Sequence, residues 1–234
     1  RLARSRRIIG VALTAVALTA LLPQNPAVSN FTYYVDAASA AVSNCPIGTS
    51  CPLTCTAPSC GTQGTPCKSI QEAINIANCA IGANGALEAD IVAAAGTYQE
   101  RLFIFPNIHV IGAGRDVTTI DSQGVACGSG GARCSVAFFS EGAGFGFGRP
   151  KVKFSISGFR LIHGTGSSIL QGTPVRAGGG IVVFGEVGDP GWPHITDCRT
   201  EDNTLAGAAA DEDWNGAGIY ISAGSPTISG NIIQ

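Results

Sequence analysis

Residues 178–185 read GGGIVVFG and residues 216–224 read GAGIYISAG, so one apolar strand occurs twice in the sequence. Ile181 and Ile219 are the matching positions. Each copy is followed by a second matching strand, PHITD and then PTISG. A strand–turn–strand unit repeated at a fixed period is typical of a solenoid, in which each unit buries its apolar side against its neighbours. The repeat therefore predicts an all-β fold of stacked coils.

Residues 1–29 have the organisation of a signal peptide. Four arginines among residues 1–7 form a basic start, residues 8–22 are uncharged and apolar, and small residues at 27–29 suit a signal peptidase. The apolar run is shorter than the roughly 20 residues that cross a membrane, although an uncleaved anchor is the alternative. We expect export to the cell surface or the medium, with no membrane span in the mature chain.

The charge balance bears on the class of partner. Residues 30–234 keep ten of the 14 basic residues and all 16 acidic ones, which gives a formal net charge of −6. Nucleic-acid binding requires clustered lysine and arginine, and this part of the chain has only three lysines. The 32 glycines and the low charged fraction of 13% indicate strands and tight turns rather than disorder. The composition therefore argues against a nucleic-acid partner.

Residues 30–67 are predicted to form an opening strand, Phe31–Val35, followed by a cysteine-rich segment. In an exported chain, an even cluster of cysteines in such a segment predicts disulfides, and six cysteines allow 15 connectivities. Zinc is the alternative, but no pair has the C-x2-C spacing. A second pair, further along the chain, would close a short loop. The disulfide candidates are Cys45, Cys51, Cys55, Cys60, Cys67, Cys79, Cys127 and Cys134.

Residues 68–234 are predicted to form the solenoid, and this part begins with a helix. Ser69 and Glu72 have the spacing of a capping box, and apolar residues from Ile70 to Ile81 keep helical spacing. A single amphipathic helix ahead of many short strands is what an N-terminal solenoid cap requires. The sequence stops at Gln234, one strand into a new repeat, which leads us to expect further coils beyond it.

Four stretches resemble a known family: YYVDA, PCKSIQEAINIA, DIVAAAGTYQERLFI and IHVIGAGRDVTTIDSQG. They are similar to the opening of secreted right-handed parallel β-helix proteins of the pectate-lyase-like superfamily, and the later repeats are similar to its generic coils. The resemblance covers residues 31–234. It implies a right-handed parallel β-helix with an N-terminal capping helix. The activities it allows include lyases, hydrolases, esterases and adhesins.

The repeats can be aligned on Ile156, Ile195 and Ile228. This alignment places Phe159, Cys198 and Asn231 at one coil position. Because that position accepts phenylalanine, we expect it to face inward, with Cys198 a buried small residue rather than a nucleophile. Asn231 could begin an internal asparagine ladder.

The same alignment gives the catalytic candidates. Arg160 stacks on Arg199 and His163 on Asp202, and neighbouring coils lie about 4.8 Å apart, so the histidine and the aspartate could share a proton. The resemblance implies that an outward arginine beside acids could remove a proton from a Ca²⁺-bound uronate, as in pectate lyases. The alternative is that these are solvated turn residues, with each arginine paired to Glu201 or Asp202.

Acidic residues near the C-terminal end are candidate Ca²⁺ ligands. Oxygen ligands in a flexible loop suit this ion, which takes six to eight of them. A solvated acidic loop without an ion is the alternative. The candidates are Asp197, Asp211, Glu212 and Asp213.

Two functions follow from these patterns. The first is a secreted or cell-surface scaffold that binds polysaccharide or another surface. The second is a carbohydrate-active enzyme, either a Ca²⁺-assisted uronate lyase of the pectate-lyase type or a glycoside hydrolase. We favour the scaffold because no complete catalytic set of the family is found in the sequence.

Overall fold

The computed structural model of the protein describes residues 31–41, 60–81, 87–127, 134–140, 153–171, 173–184, 190–206, 213–222 and 225–234. The predicted signal peptide lies outside these residues. So do five of the residues singled out above: Cys45, Cys51, Cys55, Asp211 and Glu212. Among the helices described, none has the length and hydropathy needed to cross a membrane.

The described residues are mostly β-structure, as the repeat predicts. Helix α1 covers Ile70–Ile81. The strands in chain order are β1 Phe31–Val35, β2 Ala89–Ala93, β3 Gly96–Gln99, β4 Leu102–Ile104, β5 Ile108–Gly112, β6 Thr118–Asp121, β7 Ala137–Ser140, β8 Ser155–Ser157, β9 Arg160–Ile162, β10 Ser167–Gln171, β11 Thr173–Ala177, β12 Ile181–Phe184, β13 Pro190–Thr196, β14 Arg199–Glu201, β15 Asp213–Asn215, β16 Ile219–Ile221, β17 Ser225–Ser229 and β18 Ile232–Ile233.

Three sheets contain most of these strands, and every pairing within the three is parallel. The first sheet has the order β1-β2-β5-β8-β13-β17, the second β3-β6-β9-β14-β18 and the third β4-β7-β12-β16. From β2 onward the chain visits the first, second and third sheets in turn, and then returns to the first. Each sheet thus gains one strand per circuit.

The register of the strands agrees with the repeats in the sequence. Ile181 pairs with Ile219 in the third sheet. Ile195 pairs with Ile156 on one side and Ile228 on the other in the first sheet. The alignment made from sequence is therefore confirmed at the level of individual residues.

One core lies between the three sheets. In the first sheet an inward row of side chains is fully buried: Ile91, Val110, Ile156 and Ile195. The rings of Phe139 and Phe154 stack within this core at 5.1 Å. Burying each such side chain contributes about 1.5–3 kcal/mol, so the core is the main source of stability.

A fourth, small sheet was not predicted from the sequence. β10 and β11 form an antiparallel hairpin, and β11 pairs in parallel with β15. Ile169 and Ala177 of the hairpin pack with Val182 of β12, forming a second, smaller apolar cluster. The hairpin therefore covers part of the outer side of the third sheet.

Helix α1 packs against β1, β2 and β4, the first strands of the first and third sheets. Ser69 Oγ accepts the N–H of Glu72 at 3.2 Å, which confirms the N-cap. Glu100, which follows β3, accepts the N–H groups of Ile70 and Gln71 at 2.8 and 2.9 Å. A carboxylate distant in sequence thus satisfies the first turn of the helix.

The cysteines follow the predicted pattern where they are described. Cys60 is bonded to Cys67, and Cys127 to Cys134. Cys79 is also part of a disulfide. Cys198 is free and buried, as its coil position predicts.

Candidate functional site

The arginines singled out from sequence lie on the outer side of the second sheet. Arg160 of β9 pairs in register with Arg199 of β14, as the repeat alignment predicts. Phe159, Leu161 and Cys198, which alternate with them, are fully buried. The alternation of strand side chains therefore directs both guanidinium groups away from the core.

Carboxylates hold both arginines. Arg160 Nε donates to Glu201 Oε1, and its Nη2 lies 4.0 Å from Asp202 Oδ2. Arg199 Nη2 lies 3.2 Å from Asp116 Oδ1, in the turn between β5 and β6. The predicted pairing with Glu201 or Asp202 thus describes Arg160 but is wrong for Arg199. Asp116 was missed because it lies in a turn of the coil two circuits earlier.

His163 has a different partner from the one predicted. Its Nδ1 lies 2.7 Å from Asp121 Oδ1, at the end of β6, so the expected sharing of a proton with Asp202 is wrong. His163 and Asp202 do occupy equivalent turns, with φ angles of 61° and 53°. The imidazole bonds to the preceding coil, whereas the Asp202 carboxylate lies beside Arg160.

The hydrogen bonds to Asp121 stabilise its ionised form. Desolvation raises the pKa of this carboxyl. The hydrogen bond from the Gln123 N–H and the interactions with His163 and Arg160 lower it by more, so its pKa lies below the ordinary value.

We call the outer cluster of Asp116, Asp121, Arg160, His163, Arg199, Glu201 and Asp202 the charged ridge. Four carboxylates face two guanidinium groups on this ridge, an excess of two negative charges when His163 is neutral.

Of the candidate Ca²⁺ ligands, Asp197 and Asp213 lie within the described residues. Asp197 is exposed and lies 3.9 Å from Arg115 Nη1, while Asp213 lies on β15, in the small fourth sheet. One group with metal-ligand spacing is found among the described residues, consisting of Cys60, Cys67 and Glu72. Because the two sulfurs form a disulfide, they are not thiolates that could bind a metal.

Asn231 bonds to the main chain of the preceding coil. Its Oδ1 accepts the Cys198 N–H at 2.8 Å, and its Nδ2 donates to the Ile195 carbonyl at 2.7 Å. Asn203 makes the same pair of bonds, to the Gly164 N–H and the Leu161 carbonyl. Both asparagines tie one turn to the equivalent turn of the preceding coil.

Burial raises the pKa of the Cys198 thiol to about 11, so the residue is not a nucleophile at neutral pH.

A cavity of about 580 Å³ lies where the first turn of α1 meets β3. Glu100 contributes to its wall, and desolvation raises the pKa of this carboxyl although three hydrogen bonds to α1 and Ser69 oppose the rise. Nδ2 of Asn75, also a lining residue, is buried and has no hydrogen-bond partner. No motif in the sequence indicates this cavity.

A second polar row, also missed from sequence, lies on the outer side of the first sheet. His109 Nδ1 is 3.0 Å from Ser155 Oγ, and His109 Nε2 is 3.3 Å from Glu88 Oε2. These residues belong to three successive strands of the sheet or lie directly before them. Recognising them required aligning Ile91, Val110 and Ile156, whose spacing differs from that of the later repeats.

Comparison with known proteins does not assign a function to these residues. No protein-family model matches the sequence, and searches of curated proteins and of solved structures find no match.

Proposed function

We propose that the chain is an exported or cell-surface right-handed parallel β-helix, capped at its N-terminal end by α1, that binds polysaccharide through the charged ridge. Three parallel sheets visited in turn support the coil architecture. Parallel crossovers are right-handed in about 98% of cases, which supports the handedness. The two disulfides fit an oxidising compartment. The resemblance of the sequence to pectate-lyase-like proteins also supports this proposal.

We favour a binding scaffold because both arginines are already paired with carboxylates. A lyase base would have to accept a proton, whereas Arg160 and Arg199 are each held by a carboxylate from another coil. Paired arginines and carboxylates present fixed donors and acceptors on one face of a parallel sheet. Such a face suits the hydroxyl groups of an extended glycan.

The charge of the ridge favours a neutral polysaccharide. With two more carboxylates than guanidinium groups, the ridge would repel a polyuronate unless a cation lay between them. Direct binding of the protein to a neutral glucan or xylan should therefore be stronger than to polygalacturonate in the absence of Ca²⁺.

The binding test compares variants on the full chain. Replacing Arg160 and Arg199 together by glutamine should weaken binding to insoluble xylan or glucan at least tenfold, measured by depletion from solution. Lys68→Gln, which removes a cation beside α1 and away from the ridge, is the control and should bind like the wild type. Equal binding by the double variant and the control would exclude the ridge as the binding face.

A Ca²⁺-assisted uronate lyase is the second candidate. Two arginines from adjacent coils lie on one outer face with four carboxylates, which is the observation that favours it. Formation of unsaturated products from polygalacturonate should then require Ca²⁺ and be lost in Arg199→Ala and Asp202→Ala. Turnover that is unchanged in these variants would remove both residues from the reaction.

A further inference from the structure

Glu88, His109 and Ser155 form a continuous hydrogen-bonded chain, which we call the first-sheet relay. The Glu88 carboxylate can only accept, so the hydrogen between it and His109 belongs to Nε2, at 3.3 Å. In the neutral imidazole, His109 Nδ1 then carries the lone pair and accepts the hydroxyl hydrogen of Ser155, with the two atoms 3.0 Å apart. The tautomer of the imidazole is thus set by the acid, and its basic nitrogen faces the hydroxyl group.

The acid end of the relay is held in place. Lys153 Nζ lies 3.1 Å from Glu88 Oε1, the oxygen that His109 does not use. Asn107 lies between the two residues in the sheet, with a φ angle of 65° and 1% exposure. Its N–H donates to the Lys153 carbonyl at 2.6 Å, and its own carbonyl accepts the Ala89 N–H at 2.9 Å. These main-chain bonds fix the starts of β2, β5 and β8, which carry the relay.

Polar pairs across neighbouring strands also occur for stability alone. The relay differs from such pairs because a single imidazole ring connects an acid to a hydroxyl group. One ring nitrogen bonds to the carboxylate and the other to the serine. The side chains of Glu88 and His109 are 21% and 15% exposed, so water is largely kept from their contact. Ser155 remains partly exposed on the outer face, where a substrate can approach it.

We propose that the first-sheet relay is an acyl-transfer site that hydrolyses short-chain carboxylic esters, with Ser155 as nucleophile and His109 as general base. Ser155 Oγ bonds to the ester carbonyl carbon while His109 Nδ1 takes its proton. The tetrahedral intermediate collapses, the ester C–O bond breaks, and the alcohol leaves with the proton from His109. Water, deprotonated by His109, then cleaves the acyl-serine to give the carboxylic acid and free Ser155.

The next strand places a second histidine beside Ser155. His194 of β13 is in register with Ser155, and adjacent strands are about 4.8 Å apart. Since histidines flank Ser155 on both neighbouring strands, polar groups surround the acyl position. This favours a small acyl group over a long alkyl chain.

Covalent labelling tests the nucleophile without relying on turnover. Phenylmethanesulfonyl fluoride should react once per chain, with Ser155 Oγ bonding to sulfur, fluoride leaving and His109 taking the proton. Peptide mass analysis should place the adduct on Ser155. The adduct should be absent from Ser155→Ala and reduced about 10²–10⁴-fold in rate in His109→Gln. Ser157→Ala, two residues along the same strand, is the matched control and should label like the wild type.

Hydrolysis of p-nitrophenyl acetate gives the second readout. Turnover should fall to the rate of buffer in Ser155→Ala and stay unchanged in Ser157→Ala, with equal melting temperatures in both. For the positioning residue, Glu88→Gln should lower kcat and abolish the downfield NMR resonance of the His109 Nε2 proton. An adduct on another residue, no adduct on the folded protein, or full turnover in Ser155→Ala would each overturn the proposal. The test is independent of polysaccharide binding.

Discussion

The outer faces of the first and second sheets are built in the same way but carry different chemistry. On both faces, parallel strands place equivalent residues of successive coils next to one another. On the second sheet this brings arginines against carboxylates, and both guanidinium groups are paired. On the first sheet it places one imidazole between a carboxylate and a hydroxyl group. The same backbone can therefore place either paired arginines and carboxylates or a histidine bonded to an acid and a hydroxyl group on an outer face, depending on the residue types in register.

Among substitutions that distinguish the two faces, the largest loss of stability is expected at Asn107, which supports the first-sheet relay. Asn107→Ala should lower the free energy of unfolding by about 2 kcal/mol, because it removes the bond from the Lys153 N–H and places alanine at a positive φ. Urea unfolding measures this change. Asn107→Gly is the control, since glycine accepts the φ angle, and it should cost about 1 kcal/mol. Equal losses in both variants would show that the backbone angle contributes nothing.

Acid should affect the charged ridge through Asp121. Its pKa is lowered in the folded chain, so its stabilising contribution is complete above the unfolded-state value of about 3.9. The contribution is lost as the pH falls through the lower folded pKa. Asp121→Asn should therefore weaken the loss of stability on acidification, as measured by melting temperature against pH. Asp90→Asn on the first sheet serves as control, and an unchanged pH profile for Asp121→Asn would contradict the assignment.

The smallest effects on stability are expected from the arginines of the ridge. Arg160→Gln and Arg199→Gln should each lower the free energy of unfolding by less than about 1 kcal/mol, because both pairs are partly exposed. The difference from wild type should shrink further at 1 M salt. Chemical denaturation at two salt concentrations measures it. A loss well beyond this range in either variant would show that the arginines of the ridge are a main source of stability.

The parallel strands of the later coils could be predicted because the repeats there are regular. The inward row of the first sheet advances by similar steps along the chain from Ile156 to Ile195 and from Ile195 to Ile228. In the early coils, the step from Ile91 to Val110 is less than half the step from Val110 to Ile156. Insertions between sheets cause this difference, so no single period aligns the early coils. His109 and Ser155, which lie on those coils, therefore could not be placed together from the sequence.

Side-chain partners were harder to predict than strand register. The alignment correctly placed His163 and Asp202 in equivalent turns, but at a positive φ the direction of a side chain depends on the local turn rather than on strand alternation. His163 consequently bonds to Asp121, in the coil before its own. Asp116 and Glu100 were missed for a related reason, because each acts on an element distant in sequence.

The free thiol of Cys198 can report on the separation of the parallel strands around it. With no exposure to solvent and a pKa raised to about 11, it should react with a disulfide reagent only after β13 and β14 separate from β8 and β9. The rate of modification in the native state thus measures how often this part of the stack opens. Comparing that rate with the rate of global unfolding would show whether these strands separate locally or only when the whole chain unfolds.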